Sequence, residues 1–312
     1  MIFTARRLFT GNEVIEWPRI DVGFDGTVES IEVGQPGSDE TTITPAFFDV
    51  HVHGAAGHDV MEGSAGALAT IGGFLATCGV GHYLATTVTA PVDRTLRALE
   101  GIADAIDADA NASSGWSGPA PAATPVGIHL EGPFISHAKR GVHPPADIQP
   151  PSIELFDRMQ QAAHGHIKLM TIAPEMPDAL ELIEHATRTG VRVSLGHSDA
   201  TATQARAGIA AGATSATHTF NAMRRLDHRE PGLAGVVLDS EELYAELICD
   251  GIHVAPEFVR LWLWSKGVER GILVTDAISA TGMDDGVYTL GEFPVTVEDG
   301  RCLLTSDLAR GV

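Results

Sequence analysis

His51 and His53 are separated by one residue, and in an extended strand that spacing turns both imidazoles to the same face. Two ring nitrogens converging at the end of a strand have the spacing of metal ligands. Similar donors close other apolar runs: His129-Leu130-Glu131, Gly196-His197-Ser198, Thr217-His218-Thr219 and Thr275-Asp276-Ala277. Neutral imidazole and carboxylate suit zinc or iron, and a catalytic site uses about three protein ligands with one position left open. Glu131, His197 and His218 make one such set, and His51 and His53, sharing Glu131, make a second. The sequence thus admits one ion or two. A single histidine near a strand end is ordinarily a hydrogen-bonded structural residue, but donors gathered at the ends of several strands are hard to read that way.

The elements that must position these donors can be counted. Short β-branched runs alternate with alanine-rich helical segments, the pattern of a parallel sheet. The expected strands are Phe47–His53, His82–Thr89, Val126–Glu131, Ile167–Ala173, Val191–His197, Ser215–Phe220, Glu246–Asp250 and Gly271–Asp276. Between them fall helices such as Ala65–Cys78, Val92–Asp109, Asp178–Thr189, Ala202–Ala211 and Pro256–Lys266, several stopped by a glycine (Gly79, Gly190, Gly212, Gly267). The pattern predicts an α/β fold, a (β/α)8 TIM barrel over residues 45–283, with the chemistry at the C-terminal ends of its strands. Residues 1–44 predict the strands of a small β-domain, with Asp25-Gly26 turning a hairpin between Ile20–Phe24 and Val28–Val33. Residues 284–312 predict short β segments at Val287–Leu290, Val295–Val297 and Cys302–Leu304, and Asn111–Pro125 reads as a loop.

The chain has 312 residues, of which 44% are hydrophobic and 20% charged, as expected of a folded globular protein. Its net charge of −21 disfavours nucleic acid and anionic membranes as partners. An anionic small molecule would therefore need local Arg and His groups to hold it. No apolar run approaches the roughly 18 residues of a membrane span, and the cytoplasm is the default compartment. Cys78, Cys249 and Cys302 are too scattered for a disulfide framework and read as ordinary buried thiols.

The order of motifs PAFFDVHVHG, HLEGPF, KRGVHPP, TIAPE, SLGHSDAT, ATHTFNAM, REPGLAG, CDGIHV and VTDA, from Pro45 to Ala277, resembles the N-acetylglucosamine-6-phosphate deacetylases of the amidohydrolase superfamily. The resemblance implies a metal-dependent hydrolase that converts N-acetylglucosamine 6-phosphate to glucosamine 6-phosphate and acetate. It further implies Glu131, His197 and His218 as principal metal ligands, and His51 and His53 as the second-site pair found in some members. Asp276 resembles the general base that later protonates the departing amine, and His143 the group that stabilises the developing oxyanion. Asn221 and Ala222 resemble sugar-phosphate contacts, and Arg229 and His253 phosphate ligands. An arginine of this kind can come from a neighbouring subunit, so the resemblance implies a homodimer. Cyclic-amide hydrolases of the same superfamily typically bridge two metals with a modified lysine. Lys168 stands at the start of its strand, on the wrong side of a barrel, and Glu131 takes the bridging place.

Relatives usually continue past the point matching Thr305 through a turn, an eighth helix and returning strands, where this sequence reads Ser306-Asp307-Leu308-Ala309-Arg310-Gly311-Val312. The C-terminal part is therefore expected to be missing, which would leave an uncovered eighth strand and an unpaired sheet edge. Two rival readings follow: a non-catalytic metal and sugar-phosphate binding protein, and an amidohydrolase for another N-acyl substrate.

Overall fold

The computed structural model describes residues 1–111, 122–291, 293–304 and 307–311. Most of the expected 111–125 loop, and the positions Thr305, Ser306 and Val312, lie outside the described residues. Eight parallel strands form one sheet in sequential order, each hydrogen-bonded to the next. They are β1 (Phe47–Val52), β2 (Val80–Thr87), β3 (Thr124–Glu131), β4 (Ile167–Ile172), β5 (Arg192–Leu195), β6 (Ser215–Ala216), β7 (Tyr244–Ile248) and β8 (Gly271–Val274). The sheet closes on itself at the C-terminal ends of the strands. Val52 bridges Ala277, the Asp276 amide donates to the His51 carbonyl at 3.0 Å, and the His53 and Gly54 amides donate to the Ala277 carbonyl. This closure is the TIM barrel that the strand count predicts.

Among the described residues, seven α-helices cover the barrel: α1 (Ala65–Thr77), α2 (Val92–Asn111), α3 (Ile153–Ala162), α4 (Ala179–Arg188), α5 (Ala202–Ala210), α6 (Gly232–Asp239) and α7 (Pro256–Arg270), the last broken at Gly267. Helix α1 starts where the Ser64 side chain accepts from the Ala67 amide, and it buries Leu68, Ile71 and Leu75 at helical spacing against the sheet. Each such buried leucine stabilises the fold by about 1.5–3 kcal/mol. Helix α5 is opened by a reciprocal pair, Thr201 capping Gln204 and the reverse. After α4 the chain must reverse at once into β5, and Gly190 does so at φ 89°, a left-handed conformation that only glycine adopts without strain.

Every strand except β3 ends earlier than the sequence pattern suggests. His53, His197, His218 and Asp276 fall beyond the ends of β1, β5, β6 and β8, where the chain has left the ladder. His197, His218 and Asp276 take φ of 46°, 28° and 52°, which re-aims each side chain from the strand direction toward the barrel axis. Lys168 is exposed at the start of β4, its Nζ donating to the Gly165 carbonyl, far from the strand ends as expected.

Before the barrel, Ile2–Thr4, Pro18–Val22 and Val28–Val33 form a three-stranded antiparallel sheet, and Arg7–Phe9 pairs antiparallel with Val14–Glu16 and parallel with Thr42–Ile43 in a mixed one. The Asp25-Gly26 hairpin is present: Ile20 faces Ile31, and Asp25 Oδ1 accepts from the Thr27 amide at 3.0 Å. After the barrel, Gly286–Leu290, Phe293–Glu298, Arg301–Leu304 and Asp307–Gly311 form a four-stranded antiparallel sheet. It packs on the mouth of the barrel rather than joining the N-terminal sheets. Leu290, Val295 and Leu304 cluster with Val142 and Ile278, while the Gly291 amide donates to Asp59 Oδ2 at 2.7 Å. Among the described residues no helix follows β8, and Leu273 on that strand is 60% exposed. The cysteines depart from expectation: Cys78 and Cys249 are exposed and Cys302 is half-buried, because Cys78 caps the solvent end of α1 and Cys249 follows β7 into a loop.

Candidate metal centre and active site

Glu131, the last residue of β3, is 3% exposed, and imidazoles surround its carboxylate. Its Oε1 lies 3.0 Å from His218 Nε2, 3.2 Å from His197 Nε2 and 3.4 Å from His51 Nε2. Its Oε2 lies 3.1 Å from His53 Nε2 and 3.5 Å from His143 Nε2. Asp276 Oδ1 sits 3.2 Å from His51 Nε2 and 3.3 Å from His53 Nε2. The imidazoles also meet one another: His197 and His218 at 3.1 Å and His51 and His53 at 3.2 Å, Nε2 to Nε2.

The electrostatics follow from burying these groups together. Burial alone would discharge His51 and His53, but the carboxylates of Asp276 and Glu131 overcome it, raising His51 well above its ordinary value and His53 to about 9. Burial likewise opposes ionisation of Glu131, yet His51 and His197 hold it well below the usual carboxylate range. Asp276 is lowered too, by His51 and His53 against its own burial. Carboxylates that draw protons onto buried imidazoles provide a negative field and nitrogen donors from which a divalent cation can displace those protons. The outer nitrogens support the same fit. His197 Nδ1 donates to the Lys139 carbonyl at 2.9 Å, and His51 Nδ1 lies 3.0 Å from Glu246 Oε2, so both rings can present an Nε2 lone pair inward. Two donor groups can therefore hold a divalent ion: Glu131 with His197 and His218, and His51 with His53 and Glu131.

His143 approaches the same carboxylate but differs chemically. The Thr89 amide donates to His143 Nδ1 at 3.2 Å, with Thr89 Oγ1 at 2.7 Å, so Nδ1 is an acceptor and the ring proton sits on Nε2, facing the site. Burial lowers this imidazole to about 4. It is a neutral hydrogen-bond donor rather than a lone-pair donor. His129, two residues before Glu131, has its Nε2 bonded to Thr171 Oγ1 at 2.8 Å and packs edge-on behind the His51 ring at 4.6 Å.

The cluster floors a cavity of about 670 Å³. Asn221, Ala222 and His253 line it together with His53, Glu131, His143, His197, His218 and Asp276. Asn221 Nδ2 is buried and has no partner among the described residues, a donor available to a ligand. His253 Nδ1 is held by Asp250 Oδ2 at 2.6 Å. Arg229 is not brought there: it is exposed, on a loop where its amide donates to Asp227 Oδ1, and does not line the cavity of its own chain. The opposite wall is built from Leu290 and from Arg301, Cys302 and Leu303 of the C-terminal sheet. Burial pushes the Cys302 thiol up to about 11, which leaves it protonated at neutral pH.

No family model matches the chain. It is 37% identical over 308 residues to N-acetylglucosamine-6-phosphate deacetylase of Bacillus subtilis, covering 96% of this chain and 76% of that protein. It is 38% identical over 291 residues to N-acetylgalactosamine-6-phosphate deacetylase of Escherichia coli O157:H7, covering 93% and 74%. The solved N-acetyl-D-glucosamine-6-phosphate deacetylase of Mycobacterium smegmatis superposes with a TM-score of 0.88 at 34% identity, covering 100% of this chain and 80% of that one. The chain belongs to the N-acetylglucosamine-6-phosphate deacetylase family. It spans about three-quarters of the length of the curated relatives it matches.

For a member of this deacetylase family, sequence reasoning missed three groups that shape the site. Thr89 sets the tautomer of His143. Arg301 enters the cavity wall from the C-terminal sheet. Glu246, 1% exposed on β7, stands behind His51. Glu246 alone left a signal, a carboxylate between Ala245 and Leu247 in an otherwise apolar strand, since buried charge is retained only with a partner.

Proposed function

We propose that the chain hydrolyses the acetamido group of N-acetylglucosamine 6-phosphate, releasing acetate and glucosamine 6-phosphate. The observation that carries this reading is the juxtaposition, in one cavity, of the buried Glu131–histidine cluster, the ionised Asp276 and a partnerless Asn221 amide. Glu131, His197 and His218 would hold one divalent ion, zinc or iron, and His51 and His53 with Glu131 a second. When bound, such an ion supplies Lewis-acid polarisation and lowers the pKa of water. The remaining steps belong to the side chains. Asp276, ionised at neutral pH, takes a proton from the water that adds to the amide carbonyl and returns it to the nitrogen as the C–N bond breaks. His143 donates from Nε2 to the carbonyl oxygen as it gains negative charge. Asn221 and the Ala222 backbone hold the sugar, and His253, oriented by Asp250, meets the phosphate.

Arg229, exposed and away from its own cavity, fits the role of a phosphate ligand for a neighbouring subunit, and we therefore place the protein as a homodimer. Sedimentation of the purified protein tests this: a monomer at working concentration removes Arg229 from the phosphate site. Among the described residues no helix is long and apolar enough to cross a membrane, and the free thiols suit a reducing compartment, so we take the cytoplasm as its location.

The deciding assay is acetate release from N-acetylglucosamine 6-phosphate after chelation and again after zinc or iron is restored. Metal-restored turnover is expected, whereas silence in every metal with ligand binding intact would leave a sugar-phosphate binding protein. A second reading, hydrolysis of the galactosamine epimer, draws on the 38% identity to the E. coli relative. The same assay run on both 6-phosphates and on N-acetylglucosamine separates them.

A further inference from the structure

The reaction proposed above gives Glu246 no step, yet it is among the most deeply buried carboxylates of the barrel. It rises from β7 beneath the cluster. Its Oε2 lies 3.0 Å from His51 Nδ1 and 3.2 Å from the backbone nitrogen of His218. An ionised carboxylate can only accept, so in this pair the hydrogen sits on His51 Nδ1. A neutral imidazole carrying its proton on Nδ1 has its lone pair on Nε2. That atom is the one lying 3.2 Å from His53 Nε2, 3.4 Å from Glu131 Oε1 and 3.2 Å from Asp276 Oδ1. The opposite tautomer would set a lone pair against the Glu246 carboxylate and aim an N–H at the place of an ion.

The other imidazoles of the cluster are arranged differently. His197 is oriented by a neutral backbone carbonyl, and His53 Nδ1 and His218 Nδ1 have no protein partner. Among the described residues, only His51 of these rings has a carboxylate hydrogen-bonded behind it. A carboxylate behind a ligating histidine fixes the ring and raises its basicity, and loss of such a partner typically weakens metal binding by about 10–100-fold. The backing falls on one of the two donor groups, the one made by His51, His53 and Glu131, and not on Glu131, His197 and His218.

We propose that Glu246 is a positioning residue that fixes His51 in the Nδ1–H tautomer and thereby governs loading of an ion at His51 and His53. This rests on the reading of the cluster as a metal centre. The test measures zinc stoichiometry and affinity by chelator competition for the full chain, wild type against Glu246→Gln, His51→Ala and the double variant, with thermal midpoints alongside. Glutamine keeps the volume and an acceptor for the His218 amide but removes the charge. The expected result is that Glu246→Gln weakens one ion by about 10–100-fold and leaves the other and the melting temperature unchanged. The double variant should bind no more weakly than His51→Ala alone, because the two residues act as a unit. Wild-type affinity in Glu246→Gln, or a single bound ion indifferent to it, overturns the proposal while leaving the deacetylase reading intact. Weakening of both ions with a lower melting temperature and additive effects also overturns it, assigning Glu246 to the β6–β7 scaffold. A wild-type chain that binds no zinc or iron defeats the metal reading itself.

Discussion

The two ends of the barrel are made from the same alternation of strand and helix, yet they treat backbone strain and charge in opposite ways. At the end where helices return to strands, the left-handed positions fall mostly on glycine, at Gly79, Gly165, Gly190 and Gly212, with φ of 83°, 81°, 89° and 121°, and His164 at φ 49° is the exception. At the mouth, beside Gly132 and Gly251, they fall on His197, His218, Phe220, Ala222 and Asp276, residues for which that conformation is costly. Charge divides likewise. Glu131, Glu246 and the five imidazoles at the mouth are almost fully buried, whereas Asp107 and His164 at the far end pair in water, with side chains 46% and 40% exposed. Strain and buried charge oppose folding, and a fold keeps them where an arrangement of side chains needs them. The far end is built for stability and the mouth against it.

Substitutions at the mouth should therefore abolish activity with little loss of stability. The largest effect is expected for Asp276→Asn, which keeps the shape but cannot take a proton. Acetate release should fall by about 10²–10⁴-fold with metal content unchanged, and near-normal turnover would remove Asp276 from the reaction. His143→Ala should lower kcat by about 10²–10³-fold, the loss of one donor to a developing oxyanion. Because the Thr89 amide occupies His143 Nδ1, metal content should not change; a variant that loses an ion would make His143 a ligand instead.

At the far end the expectation inverts. Gly190 has open space around its Cβ position, so Gly190→Ala costs only the left-handed strain, about 1–2 kcal/mol. Chemical denaturation should show that loss while kcat and KM stay at wild-type values. A fall in activity equal to that of the mouth variants would erase the contrast between the two ends.

How much of this was legible in the sequence divides along the same line. The glycine stops and the two-residue spacing of His51 and His53 are local rules, and the structure follows them. Strand ends were overrun at His197, His218 and Asp276 because the residue pattern continues smoothly while the backbone turns out of the ladder. Helix α6 is absent from the expected helices because Pro231, Gly232 and Gly235 are poor helix formers, and it is held by the burial of Leu233, Val236 and Val237 rather than by propensity. Helix α3, behind Pro150 and Pro151, was likewise not anticipated. Glu246 falls on an expected strand, but its partner was not legible, since His51 is 195 residues away and only closure of the barrel brings β7 beneath β1. The spacing pointed to the candidate donors, and the groups that orient them required the fold.

The smallest effect concerns the exposed pair at the far end. Asp107 Oδ2 lies 2.9 Å from His164 Nδ1, and this hydrogen bond raises the His164 pKa above its ordinary value of 6.5. A raised folded-state pKa means the folded form binds the proton more tightly, so the pair's contribution is fully present below the unfolded-state value. It is lost as pH rises through the folded-state value. His164→Gln should therefore lower the denaturation midpoint slightly at pH 5 to 6, about one unit below the imidazole range, and the difference should vanish as pH rises through the raised folded-state value. Solvent and salt screen this pair, so added salt should shrink the difference at acidic pH as well. A gap that persisted at alkaline pH would show that His164 acts through packing, and a gap that survived high salt would show that charge at this end is not managed by solvent as the comparison requires.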